Sequence, residues 1–108
     1  MQPVTAEWLF ERGGLHDARL RGVRRNGSAI EIDVDDEWAN ERGLGRPEGA
    51  APGTLVIADA IVLQGDLSAA DGGWISETML HGNELRLLFC DREVLVFRAA
   101  SVMWASAT

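Results

Sequence analysis

Residues 17–36 read DARLRGVRRNGSAIEIDVDD, and this stretch decides the fold. Asn26-Gly27 is the strongest short-range hairpin signature, because both central residues of a type I′ turn need positive φ. After it, Ile30, Ile32 and Val34 alternate with Glu31, Asp33 and Asp35. Side chains on an extended chain project to opposite faces in turn, so this is a strand with one dry side and one wet side. Strands are expected at 17–25 and 28–36. A turn that sets Arg25 opposite Ser28, continued without a break, would put Leu20 against Asp33 and Arg21 against Ile32. One extra residue repairs the match: Arg21 and Gly22 together face Glu31, Leu20 meets Ile32, Arg19 meets Asp33 and Ala18 meets Val34. A β-bulge at Gly22 is therefore expected.

The rest of the chain extends the same reading. Residues 54–64 form a nearly continuous apolar run interrupted by Asp59, and their β-branched content predicts a central strand bent at 58–60. Residues 74–81 alternate, and Gly82-Asn83 closes them onto 84–90 with Leu80 opposite Leu85 and Thr78 opposite Leu87. Asp91-Arg92 turns the chain into a last strand at 93–104. Residues 6–12, with Trp8, Leu9 and Phe10, predict a short helix that Gly13 and Gly14 end. Residues 36–42 read as a helical turn stopped by Gly43, and 44–53 and 66–73 as loops. The expected fold is mainly β, with about six strands and a short helix near the N-terminus. Its single antiparallel sheet is curled or folded over, as a sandwich or a half-open barrel.

Length and charge bound the function. A chain of 108 residues is one domain and buries roughly 65% of its unfolded surface. No run approaches the roughly 18 apolar residues of a membrane helix. Residues 1–10 contain Glu7 and lack the basic start of a secretory signal, so a cytoplasmic address is expected. The single Cys90 agrees with a reducing compartment. All ten basic residues are arginine, and with many Ala and Gly this points to a GC-rich bacterial genome. The net charge is −7, with residues 1–25 carrying +2 and residues 26–108 carrying −9. Such a surface repels phosphate backbones and anionic membranes and attracts a basic protein.

No catalytic constellation stands out. His16-Asp17 is a candidate metal pair, but His81 is the only other histidine, and bonding to backbone groups is the more ordinary role for both. The acidic run Glu31, Asp33, Asp35, Asp36 and Glu37 lacks the glycine and the terminal glutamate of a calcium loop. Its alternation with Ile and Val marks a strand face instead. Cys90 has no second cysteine for zinc and no helix N-terminus to activate it. Neither a Gly-x-Ser-x-Gly elbow nor a phosphate-binding glycine loop is present. Trp74 and Trp104 are expected in or against the core. Trp38, set among acids, is a candidate partner anchor.

The opening Leu15-His16-Asp17-Ala18-Arg19-Leu20, followed by a strand and an Asn-Gly hairpin, resembles that of small bacterial β domains. These include the immunity proteins of polymorphic-toxin systems, type fifty. Leu85 to Cys90 and then Val94 to Val102 are similar to the paired strands that close such domains. The resemblance implies a non-enzymatic protein that binds and blocks a toxin.

The expected function is accordingly a non-catalytic protein-binding module of immunity type, with no cofactor. Its candidate partner-binding residues are Glu31, Asp33, Asp35, Asp36, Glu37 and Trp38. Two alternatives stand beside it. One is a structural homo-oligomer, a homodimer held by an apolar strip at Leu88 and Leu95. The other is a small-ligand or metal-binding domain around His16 and Asp17.

Overall fold

The computed structural model describes residues 1–35 and 52–107. The helical turn expected at 36–42 and the candidate residues Asp36, Glu37 and Trp38 lie outside the described residues. The deciding hairpin forms from β2 (Arg19–Asn26) and β3 (Ala29–Asp35), numbered after a two-residue β1 (Gln2–Pro3).

Asn26 pairs with Ala29, so the loop is Gly27-Ser28 rather than Asn26-Gly27. Gly27 has φ 63° while Asn26 stays extended within the strand. A glycine-first loop needs positive φ only there, and it leaves the Asn26 side chain free to donate to Glu31 Oε2 at 3.1 Å. Each cross-strand partner moves by two residues from the expected register. Leu20 sits opposite Val34, and Arg19 opposite Asp35. A shift of two preserves the faces, so Leu20, Ile30, Ile32 and Val34 are all buried, as the alternation requires. The expected bulge is present: the register slips between Leu20 and Gly22, leaving Arg21 as the extra residue.

Two expected strands are each divided between two sheets. The 54–64 run gives β4 (Gly53–Ala58) and β5 (Ile61–Gln64), broken at Asp59 with φ 50°. The 93–104 run gives β8 (Leu95–Arg98) and β9 (Ser101–Ser106), broken at Ala99-Ala100. A straight strand of either length would span roughly 36–40 Å, as long as the whole molecule, whose largest extent is 36 Å. The chain turns a corner instead. Ala60 N donates to Ser28 O and Ala100 N to Ala58 O, both at 2.9 Å, which satisfies the backbone where each strand changes sheet. The hairpin of β6 (Ile75–His81) and β7 (Glu84–Phe89) has the expected register, Leu80 opposite Leu85 and Thr78 opposite Leu87.

The five-stranded sheet has the order β1-β9-β4-β3-β2, and the four-stranded sheet β5-β8-β7-β6. Both are antiparallel throughout. Trp104, Leu55, Ile57 and Ile32 of the first sheet meet Phe97, Leu85, Leu87 and Leu95 of the second in one core. The sheets are joined along one side. Asp17 N donates to Ile75 O, Ile75 N to Ala18 O, Leu20 N to Gly73 O and Gly72 N to Leu20 O, at 2.8–2.9 Å. The fold is thus a sandwich sewn along one seam, and not a closed barrel.

Helix α1 (Ala6–Glu11) is started by Thr5, whose hydroxyl accepts from Trp8 N at 3.0 Å, and is followed by the expected glycines, Gly13 and Gly14, both at positive φ. Trp8 packs against Trp104 with ring centroids 5.3 Å apart, and the buried Arg12 guanidinium stacks on Trp8 at 4.1 Å. Trp104 is in the core as expected. Trp74 is only half-buried, with Arg19 stacked over its ring at 4.9 Å.

Candidate functional site

Strand β6 forms one edge of the second sheet, and its outer side sets the geometry of the site. A bulge at Ser76 lets Ile75 face Phe89 and Glu77 face Leu88, so the alternation expected from Trp74 onward breaks there. Ile75 and Thr78 are both buried as a result. A two-residue hairpin loop closes on a hydrogen-bonded pair, here His81 with Glu84, and such pairs alternate along the ladder. Met79 therefore exchanges bonds with Arg86, while the N–H and C=O of Thr78 and Leu80 point away from β7. Counting through the bulge, the same parity turns Ile75 outward, where it bonds Asp17 and Ala18.

Beyond Ser76 the outer side of β6 faces α1 across an apolar groove of about 350 Å³. Ala6, Leu9 and Phe10 form one wall, Gly13 and Gly14 close one end, and residues 77–81 form the other wall. A second hollow of about 240 Å³ continues past Leu80 toward Pro3, Val4, Gly82 and Asn83. Phe10 is 85% exposed at the lip. Thr78, 3% exposed, lines the groove, and its hydroxyl has no hydrogen-bond partner among the described residues. Glu77 lies on the rim and Glu7 on the neighbouring turn of α1. Among the described residues, neither has a cation within ion-pair distance.

Of the acids expected to bind a partner, Glu31, Asp33 and Asp35 lie elsewhere, on the outer side of β3, and Glu31 and Asp33 are engaged within the sheet. Arg24 Nε donates to Glu31 Oε1 at 3.0 Å and Arg24 Nη1 to Asp33 Oδ2 at 2.7 Å. Thr54 Oγ1 donates to Asp33 Oδ1 at 2.7 Å. The Arg24 bond, then that of Thr54, holds the Asp33 carboxyl below its usual range. Asp35 faces Arg19 across the ladder.

His16 and Asp17 form a clasp on β6. A carbonyl only accepts, so His16 Nδ1–H is the donor to Ser76 O at 2.6 Å, and Nε2 lies 3.5 Å from Asp17 Oδ2. Asp17 itself has φ 66°, which Asp tolerates better than most residues. Among the described residues no group of three or more His, Cys, Asp or Glu is placed to hold a metal. Cys90 is exposed and its thiol donates to Trp74 O at 3.4 Å.

Phe10, Leu9, Met79 and Leu80 are not among the binding residues expected from the sequence, where Leu9, Phe10 and Leu80 serve only to place the helix and the hairpin register. A signal was present: Trp8-Leu9-Phe10 puts three large apolar side chains in succession, more than one face of a short helix can bury. Trp8 and Leu9 are buried and Phe10 is left out.

No protein-family model, no curated protein and no solved structure matches the chain. Among the described residues no helix is long and apolar enough to cross a membrane.

Proposed function

We propose that this chain is a non-catalytic protein-binding module that holds an apolar segment of a basic partner in the groove between α1 and β6. The observation that carries the reading is Phe10, exposed beside an apolar groove whose lining acid, Glu77, has no counter-ion among the described residues. Burying a phenyl ring of this exposure contributes about 2–3 kcal/mol, enough for an anchor. The Glu77 carboxylate at the rim favours cationic side chains flanking the bound segment. The acidic face of β3 fits this role less well, since Arg24, Asn26 and Thr54 already occupy Glu31 and Asp33. A toxin-neutralising role is the finer form of the reading. The resemblance of residues 15–20 to the immunity-protein opening supports it, and a basic toxin domain is its natural partner.

Affinity capture from the native host, with three forms of the chain at low and moderate salt, tests the proposal. The same basic protein should be retained by the parent chain and by a Glu31→Gln/Asp33→Asn variant, and lost with Phe10→Asp. Loss confined to the β3 variant would move the site to the acidic face. Equal retention by all three would overturn the groove.

A second reading has its own observation. Ile61 and Leu63 on β5, the other edge of the second sheet, are 54% and 43% exposed. A second copy of the chain covering them is the homo-oligomeric alternative. Leu95, which had been expected to serve that purpose with Leu88, is in the core instead. Sedimentation that stays monomeric at every concentration removes this reading.

A further inference from the structure

We infer that the partner segment enters the groove as an extended strand and pairs with Leu80 through backbone hydrogen bonds, lengthening the second sheet past β6. The inference rests on the groove being the binding site. Its own ground is how the outer side of β6 is used. Ile75 is bonded to residues 17 and 18, and the Ser76 carbonyl to His16. Thr78 lies beneath Gly14, whose absent Cβ would stand 3.5 Å from both Thr78 N and Thr78 O. Leu80 is the next residue with outward groups, and both hollows open onto it. An outward N–H and C=O on an edge strand are a template for an added strand.

The pairing dictates a pattern. A residue set directly opposite Leu80 projects its side chain to the face that Leu80 shares with Thr78. That face carries the groove wall of Leu9 and the unpartnered Thr78 hydroxyl. Its two neighbours project to the other face, beside Met79, His81 and the uncompensated Glu77. The segment therefore alternates, with an apolar residue at the centre and basic residues on either side.

The test uses the full chain, isotope-labelled for NMR, and the synthetic peptide Lys-Val-Lys-Leu-Lys-Val-Lys. Resonances of Phe10 and Met79 should shift, and exchange of the Leu80 amide with solvent should slow by about tenfold or more. The same peptide N-methylated at its central Leu should bind at least about tenfold more weakly, having lost one ladder donor. Shifts at Phe10 with Leu80 exchange unchanged and equal affinity for the methylated peptide would overturn strand pairing and leave the groove standing. Shifts on the β3 face alone, or none at millimolar peptide, would overturn both.

Discussion

Thr78 carries a buried hydroxyl with no partner among the described residues, and such a group costs about 1–3 kcal/mol of desolvation when nothing replaces its water. Replacing it with an isosteric methyl removes the penalty. Thr78→Val should hold or raise the unfolding free energy measured in urea, by up to about 1 kcal/mol, and a clear loss of stability would reveal a partner for the oxygen. Arg24 is the opposite case, a solvent-facing guanidinium shared by two carboxylates. Arg24→Gln should cost only about 0–1 kcal/mol at neutral pH. Its effect belongs in acid. The folded-state pKa of Asp33 is depressed, so its contribution is present above the ordinary carboxylate range and is lost as pH falls through the folded value. Stability measured from about pH 5 down to about pH 2 should therefore decline, and less steeply in Arg24→Gln. Parallel curves for the two proteins would exclude Asp33 as a source of the slope.

At the scale of elements, what could be read in advance was whatever repeats every two residues. The Ile30, Ile32, Val34 alternation, the slip at Gly22 and the pairing of Leu80 with Leu85 all follow from which side chains must be dry. Hidden from such reading were the features set by distance in space. Ala99-Ala100 carries no turn residue, and only the need to change sheets breaks the run there. The loop at Gly27-Ser28 moved by one residue because glycine satisfies either turn family. The groove was invisible for the same reason, since α1 and β6 are far apart in the chain. Two substitutions probe the corners. Asp59, at φ 50°, should tolerate glycine, whereas Asp59→Val should lower stability by about 1–2 kcal/mol. Gly53 lies against Trp104: an added Cβ would stand 2.6 Å from its Cε2 and 2.8 Å from Ala105 O. Gly53→Ala should cost about 1–3 kcal/mol of unfolding free energy in urea denaturation, and a neutral result would mean that the indole can yield.

The whole molecule joins a net charge of −7 to a surface on which Glu31, Asp33, Glu84 and Asp91 are already matched by arginine. Charge in excess of those pairs acts at long range, over a Debye length of about 8–10 Å at ordinary salt. On the proposed reading, association with a basic partner should slow several-fold from low salt to about 0.5 M, while dissociation, which the reading assigns to the Phe10 contact, should change little. Stopped-flow rates separate the two, and a salt-independent association rate would remove electrostatic steering.

The four backbone bonds that sew residues 17–20 to residues 72–75 bear on how the chain reaches this state. Each local hairpin can zip from its own turn, but that ladder joins partners more than fifty positions apart and forms only once both halves exist. In pulse-labelled refolding, the amides of Asp17, Leu20, Gly72 and Ile75 should become shielded from solvent later than those of the β2–β3 and β6–β7 hairpins.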